Sequence, residues 1–330
     1  MIIKKICILG GTGFVGTSLA NRLVDRGYSL RILTRDREAR KENLILLPAT
    51  DLVEANVHDE NALTEQFAGC DAVINLVGIL NERGRNGSGF RAVHVELAEK
   101  VINACRANGI RRLLHMSALN ADARNAPSHY LRTKGEAEDL VHTAGDIRVT
   151  SFRPSVIFGQ RDSFFNRFAG LLKLSPGVFP LACAEARFAP VYVGDVADAF
   201  IQSLRDPDFY GQRLELCGPH TYTLQELVEY TAACLDIRRL VLPLPDLLAR
   251  MQGTMFDLGG FLFNLVGMEK PFSMDNYLSM TKDSVCAENA LPGIVTEPTA
   301  VEAVVPQYLS GHTWHSRYDE FRRESRRESV

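Results

Sequence analysis

Short apolar runs alternate with amphipathic stretches through the first 160 residues of the chain. The apolar runs predict strands over residues 6–9, 30–33, 72–76, 112–116 and 148–152. Apolar positions that recur every three or four residues predict helices between them, over about residues 13–26, 60–68, 90–107 and 129–142. Strands that alternate with helices in this way form a parallel sheet. Because its crossovers are right-handed, we expect an α/β fold with a doubly wound parallel sheet and helices on both faces.

The regular alternation weakens after residue 153. Prolines interrupt a loop-rich stretch there, and further helices are predicted over residues 193–204 and 224–235. From about residue 240 to residue 309 the chain is rich in Leu, Met, Phe, Pro and Gly without clear alternation of strands and helices. We therefore expect a smaller, mostly helical C-terminal lobe beside the sheet, followed by a charged tail of Arg and Glu over residues 316–330.

The composition sets limits on the function. The chain has 330 residues, 46% of them apolar and 23% charged, as in an ordinary globular protein, and its net charge of -3 gives no indication of nucleic-acid binding. The seven cysteines are scattered without a C-x-x-C pair, so we expect no metal site, no disulfide framework and a reducing compartment. Because the start lacks a signal-peptide pattern and no apolar run approaches the ~20 residues that span a bilayer, we expect a cytoplasmic protein.

A glycine-rich turn follows the first predicted strand and opens the first predicted helix. Its glycines form G-x-x-G-x-x-G, which permits a sharp turn, brings the backbone close to a pyrophosphate and aims helix N–H groups at the anion. The residues expected to contact a dinucleotide here are Gly10, Thr12, Gly13, Phe14, Val15 and Gly16. A turn that binds no ligand is the alternative. We expect a Rossmann-type domain over residues 1–160 with contributions from about 188–217, and a substrate lobe over 161–187 and 218–315.

The end of the second predicted strand bears on the choice of cofactor. A carboxylate at this place accepts hydrogen bonds from the ribose hydroxyls of NAD, whereas this chain has Thr34 followed by Arg35. A guanidinium suits a 2′-phosphate, and the lack of a carboxylate avoids repelling it. We therefore expect NADP(H) to be favoured over NAD(H). The alternative for Arg35 is a solvated surface arginine.

The helix predicted over residues 129–142 carries Tyr130 and Lys134 in a Y-x-x-x-K pattern. Residues four apart share a helix face, so the ammonium is expected to lower the pKa of the phenol toward working pH. The phenol can then exchange a proton with a carbonyl or alcohol while a nicotinamide exchanges hydride. Ser117 directly follows a predicted strand and is expected to bind the same substrate oxygen. The alternative is a surface helix with an exposed tyrosine and lysine.

These motifs resemble those of the extended short-chain dehydrogenase/reductases, the NAD-dependent epimerase/dehydratase family. The residues that carry the resemblance are 10–16, Ser117, Tyr130 with Lys134, 153–159 (RPSVIFG) and 190–197 (PVYVGDVA). A narrower, atypical branch is resembled by residues 75–80 (NLVGIL), 153–168 and 283–285 (DSV). That branch includes the nucleotide-binding accessory subunit of mitochondrial complex I and its bacterial relatives. The resemblance spans about residues 3–309.

The resemblance implies further contacts to the cofactor, some of them beneath it and others near the nicotinamide. The additional cofactor-binding residues expected are Asn56, Val57, Leu76, Val77, Gly78, Pro154 and Val156. Many enzymes of the family also carry an asparagine that relays protons through water to the lysine. This chain has His94 at or near that position. A histidine can relay protons too, but a structural histidine with satisfied hydrogen bonds is the alternative.

Two functions are compatible with these features. The first is an NADP(H)-dependent oxidoreductase or epimerase/dehydratase that acts on a carbonyl or alcohol. The second is a non-catalytic NADPH-binding accessory or assembly factor of respiratory complex I or of quinone machinery. The serine, tyrosine and lysine favour retained chemistry, whereas the missing asparagine favours the binding protein. The lobe, rich in Leu, Met and Phe, indicates an apolar, quinone-related substrate rather than a nucleotide sugar, although such residues also form ordinary core.

An apolar stripe runs through residues 247–268. Its positions recur at steps of three and four, as on one face of a helix: Leu248, Met251, Met255, Leu258, Leu262 and Leu265. Met and Phe side chains suit an adaptable surface for lipid. We expect peripheral attachment at the inner face of a membrane or to a respiratory complex, while packing on the core of the lobe is the alternative.

Overall fold

The computed structural model describes residues 2–40, 44, 47–82, 84, 86–258 and 272–310. Its strands are β1 (Lys5–Leu9), β2 (Ser29–Thr34), β3 (Thr50–Glu54), β4 (Ala72–Asn75), β5 (Arg112–Met116), β6 (Arg148–Pro154), β7 (Ile157–Phe158), β8 (Val178–Leu181), β9 (Arg187–Phe188), β10 (Val191–Tyr192), β11 (Arg213–Leu216), β12 (Tyr222–Thr223) and β13 (Leu240–Pro243).

The helices surround these strands. They are α1 (Phe14–Asp25), α2 (Arg37–Arg40), α3 (Glu60–Phe67), α4 (Ser88–Arg91), α5 (Leu97–Ala107), α6 (His129–Thr143), α7 (Phe165–Leu174), α8 (Val193–Ser203), α9 (Leu224–Cys234), α10 (Asp246–Leu258), α11 (Met274–Ser279) and α12 (Val301–Leu309). A π-helical turn over Ala92–Glu96 joins α4 to α5.

The main sheet has seven strands in the order β11-β6-β5-β4-β1-β2-β3, and all of its neighbours are parallel. The chain winds from β1 outward to β3, returns to the centre, and winds from β4 outward to β6. This confirms the doubly wound α/β fold. The direction of winding reverses between β1 and β4, and ligands of such sheets bind at the carboxyl ends of the strands beside that reversal.

Two strands of the main sheet are absent from the prediction. β3 has no buried residue and carries Asp51 and Glu54, so its sequence lacks the apolar run that marks an interior strand. β11 has one buried residue, Leu216. Both strands are edge strands of the seven-stranded sheet, and the outer side of β11 forms an isolated bridge between Glu215 and Asn289. Pairing with β2 and β6, rather than hydrophobic pattern, therefore defines them.

Apolar cores lie on both faces of the sheet and in the lobe. One includes Leu19 of α1 and Phe200 of α8, and the other includes Phe67 of α3 and Val141 of α6. A separate core, in the region expected to form the substrate lobe, packs α7, α9 and α12 around Phe165. The lobe is therefore built on its own core, next to the carboxyl edge of the sheet. The charged tail predicted over 316–330 lies outside the described residues.

No disulfide framework was expected from the cysteine spacing, but one pair of cysteines is bonded. Cys217, directly after β11, is bonded to Cys286, which lies 69 residues further along the chain. Five other cysteines are free. The spacing of the cysteines does not reveal the pair because the fold, not the sequence interval, brings β11 and the segment after α11 together. The bond ties that segment of the lobe to the sheet.

Crossing a bilayer requires a helix that is both long and apolar. None of the helices within the described ranges meets both conditions.

Candidate active site

The glycine turn is built by close contacts between β1 and α1. Gly10 has a φ of 76°, a conformation that favours glycine. A Cβ at Gly16 would lie 2.4 Å from the Gly10 carbonyl oxygen and 2.5 Å from the Gly11 Cα, so the third glycine lets the helix pack against the turn. α1 begins without a side-chain cap and without an acidic residue in its first turn. Its first N–H groups are thus suited to an anion such as a pyrophosphate.

The residues expected near the adenosine end lie at the carboxyl ends of β2 and β3. Thr34 is buried, and its hydroxyl lies 3.2 Å from the Asp36 carbonyl oxygen. Arg35 is exposed and forms no ion pair among the described residues. Val57 is buried, whereas Asn56 is exposed and accepts a hydrogen bond from the His58 N–H. The end of β2 therefore carries a guanidinium and no carboxylate, whereas Glu54, paired with Thr34 at the end of β3, accepts from the Arg37 N–H at 3.2 Å.

A cavity of about 720 Å³ extends from the carboxyl edge of the sheet into the lobe. The structure brings together many residues that were predicted from the sequence to bind cofactor or substrate. Those that line the cavity are Phe14, Val15, Leu76, Gly78, Ser117, Tyr130, Lys134, Pro154 and Val156. Gly10 lies close to the segment after β4, since a Cβ at Gly10 would be 3.2 Å from the Val77 nitrogen. Residues from β1 to β6 therefore meet in one place although they are far apart in the sequence.

The lobe supplies the other end of the cavity, and that end is mostly apolar. Its wall includes Phe164, Phe168, Leu171, Phe179, Leu181 and Phe188. The rings of Phe164 and Phe168 contact each other edge to face, with centroids 5.1 Å apart. A smaller polar side is formed by Asn120, Asn276, Ser279 and Lys282. The cavity thus has a polar floor beside Tyr130 and a long apolar extension.

Tyr130 and Lys134 lie one turn apart on α6, as predicted, but the electrostatic relation between them differs from the prediction. The Lys134 ammonium donates to the Met116 carbonyl at 3.0 Å, and burial lowers the pKa of this lysine to about 8. Burial, aided by the negative charge of Asp275, raises the pKa of Tyr130 to about 12. The expected lowering of the phenol pKa by Lys134 is therefore wrong. Although the ring is only partly buried, its removal from water disfavours the phenolate.

Ser117 lines the cavity, but its hydroxyl donates to the Glu138 carboxylate at 3.0 Å. Glu138 is fully buried on α6 and also accepts from the Arg153 Nε at 2.9 Å. Burial raises the pKa of Glu138, while Arg153 and Ser117 oppose that rise. The serine proton is thus engaged away from the substrate position. Glu138 was not predicted from the sequence, although its place one turn after Lys134 was a usable signal.

His94 is held by hydrogen bonds on both ring nitrogens. Its Nδ1 lies 2.9 Å from the Thr133 hydroxyl, and its Nε2 accepts from the Ile79 N–H at 3.3 Å. Because Nε2 accepts, the neutral ring carries its proton on Nδ1. Burial and the charge of Lys134 lower the pKa of His94 to about 2. The structure therefore supports the alternative of a satisfied structural histidine rather than a proton relay.

One carboxylate that contacts α6 was not foreseen. Asp275 of α11 accepts hydrogen bonds from the backbone N–H groups of His129 and Tyr130. It lies 145 residues beyond Tyr130 in the sequence, so no local pattern indicates the contact. Within the described ranges, no group of three or more His, Cys, Asp or Glu side chains could hold a metal ion.

Comparison with known proteins establishes the family. Residues 6–216, more than half of the chain, match the NAD dependent epimerase/dehydratase family. The chain belongs to this family, which confirms the resemblance seen in its motifs. The glycine turn, the uncapped helix and the cavity together fit the pyridine nucleotide that the family name implies.

Two relatives and one solved structure illustrate the range of the family. The chain is 30% identical to NADH dehydrogenase (ubiquinone) 1 alpha subcomplex subunit 9, mitochondrial, of Arabidopsis thaliana over 294 residues, 86% of this chain and 71% of that protein. It is 27% identical to a ceramide reductase of Caulobacter vibrioides over 259 residues, covering 78% of this chain and 79% of that one. The Thermus thermophilus UDP-glucose 4-epimerase complex with NAD shares its fold, with a TM-score of 0.62, 17% identity, and coverage of 84% and 97%.

The close packing at Gly16 leads us to expect that a larger residue there weakens binding of the dinucleotide. A methyl group there overlaps the glycine turn, so we expect Gly16→Ala to cost about 1–3 kcal/mol of packing and to weaken NADPH binding by about tenfold or more. Fluorescence titration with NADPH measures the affinity. Gly145→Ala is the matched control, because a Cβ at Gly145 meets nothing within 4 Å. Equal affinities of wild type and Gly16→Ala would contradict this account of the turn.

Proposed function

We propose that the protein is an NADP(H)-dependent oxidoreductase that reduces a carbonyl group on an apolar substrate. The observation that carries the proposal is the position of Tyr130 and Lys134 on the floor of a cavity of about 720 Å³ whose far wall is apolar. Nucleotide sugars are polar and charged, and the apolar wall would desolvate them, an effect that the smaller polar side with Asn120 and Lys282 offsets in part. A quinone-related or long-chain carbonyl compound fits the wall better.

The chain's own residues define the proton chemistry. A bound nicotinamide supplies the hydride, and the Tyr130 phenol donates the proton to the substrate oxygen. With its pKa raised to about 12, this phenol is protonated at neutral pH, which is the state that a proton donor requires. Lys134, with its pKa lowered to about 8, is mainly protonated at neutral pH and lies beside Gly78, where a Cβ would be 2.9 Å from its Nζ. By the family resemblance, this lysine also binds the nicotinamide ribose.

Chain length tests the proposed substrate class. With NADPH and a series of 2-alkanones of increasing length, we expect kcat/KM to rise about three- to fourfold per added methylene until the apolar wall is covered, because each buried methylene contributes ~0.8 kcal/mol.

We expect Tyr130→Phe to abolish NADPH oxidation while leaving NADPH binding nearly intact, and Lys134→Ala to harm both. Turnover by Tyr130→Phe at the wild-type rate would contradict the role of Tyr130 as proton donor. The same kcat/KM for every chain length would contradict the apolar substrate class.

A non-catalytic accessory role is the second candidate. It is favoured by the hydroxyl of Ser117, which is engaged with Glu138, and by His94, which is fixed in place of a relay residue. The relative from Arabidopsis thaliana is named as a subunit of NADH dehydrogenase (ubiquinone). Under this alternative the protein binds NADPH for assembly or stability of a respiratory complex. Full rescue of a deletion strain by Tyr130→Phe supports it over the enzyme.

The cofactor preference has its own test. Arg35 is exposed, unpaired among the described residues and next to Thr34, so it is available to a 2′-phosphate. A charge-assisted contact of this kind contributes ~1.5–3 kcal/mol, about ten- to a hundredfold in affinity. We expect calorimetry to show tighter binding of NADPH than of NADH, and Arg35→Ala to remove most of the difference. Arg26→Ala, a surface arginine paired with Asp198, serves as the control. Equal wild-type affinities for the two cofactors overturn the preference.

Peripheral attachment to a membrane is the last part of the proposal. Leu248 and Met251 of the apolar stripe are exposed by 46% and 60%, and Leu247, next to the stripe, is exposed by 70%. Nearby, Leu240 and Val178 are paired on β13 and β8, and both are exposed. Leu262 and Leu265 of the stripe lie outside the described residues. An apolar surface of this kind on a protein with an apolar cavity favours attachment to lipid.

Sedimentation with liposomes that contain anionic lipid tests the attachment. We expect part of the wild-type protein to sediment, and Leu247→Ser with Met251→Ser to weaken the binding by about tenfold or more, since two large apolar side chains are lost. NADPH binding should persist in the double variant. Ile2→Ser is the matched control, because Ile2 is 77% exposed outside the stripe. If the wild-type protein stays in the supernatant, the surface does not bind lipid.

A further inference from the structure

The helix that carries Tyr130 is held at its N-terminus by the lobe. Asp275 of α11 accepts from the His129 N–H at 2.7 Å and from the Tyr130 N–H at 3.1 Å. These N–H groups belong to the first turn of α6, where a helix provides no partners of its own. A carboxylate at this end also interacts favourably with the helix dipole. One side chain of the lobe thus engages two adjacent amides of the catalytic helix.

A second contact joins the same two helices. Ser128 is fully buried and caps α6 by accepting from the Leu131 N–H at 3.2 Å. The hydroxyl of Ser279, at the end of α11, lies 2.8 Å from the Ser128 hydroxyl. The cap of α6 is therefore itself held by α11. Asp275 and Ser279, one turn apart, hold the first turn of α6 from one face of α11.

α11 also faces the substrate cavity. Asn276 and Ser279 line the cavity, and Met280 follows directly after the helix as a further lining residue. On another side, the Tyr277 hydroxyl accepts a hydrogen bond from Arg250 of α10 at 3.1 Å. A short helix thus stands between the substrate space, the surface helix α10 and the catalytic helix. A substrate in the cavity would therefore contact α11, the helix whose Asp275 holds the first turn of α6.

Tyr130 is more sensitive to this contact than Lys134. Tyr130 is the second residue of α6, so a shift of the first turn moves its phenol directly. Lys134 lies one turn later and is anchored independently by the Met116 carbonyl. Loss of the contact should therefore displace the proton donor while leaving the lysine in place. Displacements of about 1 Å at a reacting group can lower the rate by about a hundredfold.

We propose that Asp275 is a positioning residue for Tyr130. By accepting from the first N–H groups of α6, it fixes the Tyr130 phenol relative to α11, the helix that lines the substrate cavity. The proposal rests on the proposed function for its kinetic consequence, but the position of the phenol can be measured without turnover. The competing explanation is that Asp275 only stabilises the fold, as any carboxylate that accepts two backbone N–H groups does.

The charge of Asp275 provides a readout that a general loss of stability would not change. The carboxylate raises the pKa of the Tyr130 phenol, and replacing it with an amide keeps a hydrogen-bond acceptor but removes the charge. The other titratable groups that face Tyr130 or Asp275 are Lys134, His94, His129 and Glu82. None of them is altered by Asp275→Asn. The phenol pKa should therefore fall in this variant, and any pH limit that reflects the phenol should move to lower pH.

The experiment compares Asp275→Ala and Asp275→Asn with a matched control. Asp71 is the control because its carboxylate also accepts from two backbone N–H groups, those of Lys4 and Lys5, at the opposite edge of the sheet. We expect Asp275→Ala to lower kcat with the best 2-alkanone about 10- to 100-fold with NADPH affinity nearly unchanged. Asp275→Asn should be intermediate. Asp71→Ala should lose similar thermal stability and keep the wild-type kcat.

A label at position 130 reports the position and pKa of the phenol without a substrate. With 3-fluorotyrosine incorporated at that position, fluorine NMR reports the environment and ionisation of the phenol in the full-length protein. We expect Asp275→Asn to lower the pKa of the labelled phenol by about one, Asp275→Ala to change its resonance position, and Asp71→Ala to change neither. A label that responds alike to the Asp275 and Asp71 variants overturns the inference. Absence of wild-type turnover with a responsive label overturns only the proposed enzymatic function.

Discussion

The parallel arrangement of the main sheet is the constraint on which the site depends. All seven strands point the same way, so the ends of β1, β2, β4, β5 and β6 meet at one edge. The turn after β1 packs closely against α1 because Gly16 has no side chain to strike the Gly10 carbonyl. The cavity then occupies the space between this edge and the lobe. The proposed cofactor-binding and catalytic residues all lie on segments that leave that edge.

Burial sets the electrostatics of the two central side chains. Taking a tyrosine and a lysine out of water disfavours both charged forms, so it raises the pKa of Tyr130 and lowers that of Lys134. The same dry environment is provided by the apolar wall that would receive the substrate. A site of this kind keeps the phenol protonated and ready to donate. The apolar wall thus adds to the exclusion of water that raises the pKa of the phenol.

The polar residues behind the site explain why both an enzyme and a binding protein remain reasonable. Ser117 is engaged with Glu138, and His94 is fixed by Thr133 and the backbone of Ile79. Both side chains are thus engaged in hydrogen bonds within the protein rather than with a ligand. Tyr130, by contrast, faces the cavity, and its backbone is held by the lobe through Asp275. Whether the protein is an enzyme or a binding protein therefore depends mainly on the Tyr130 phenol.

The sequence by itself determined the doubly wound sheet, the glycine turn and the pairing of Tyr130 with Lys134, because these follow from local periodicity and from spacings of a few residues. The edge strands β3 and β11 could not be predicted, since they carry almost no buried residues and exist through pairing with their neighbours. Only the tertiary structure decided that Cys217 meets Cys286, that Ser117 faces Glu138 and that Asp275 holds the start of α6. It also reversed the expected shift of the Tyr130 pKa. These features depend on burial and on contacts between distant segments, and local sequence patterns carry no record of either.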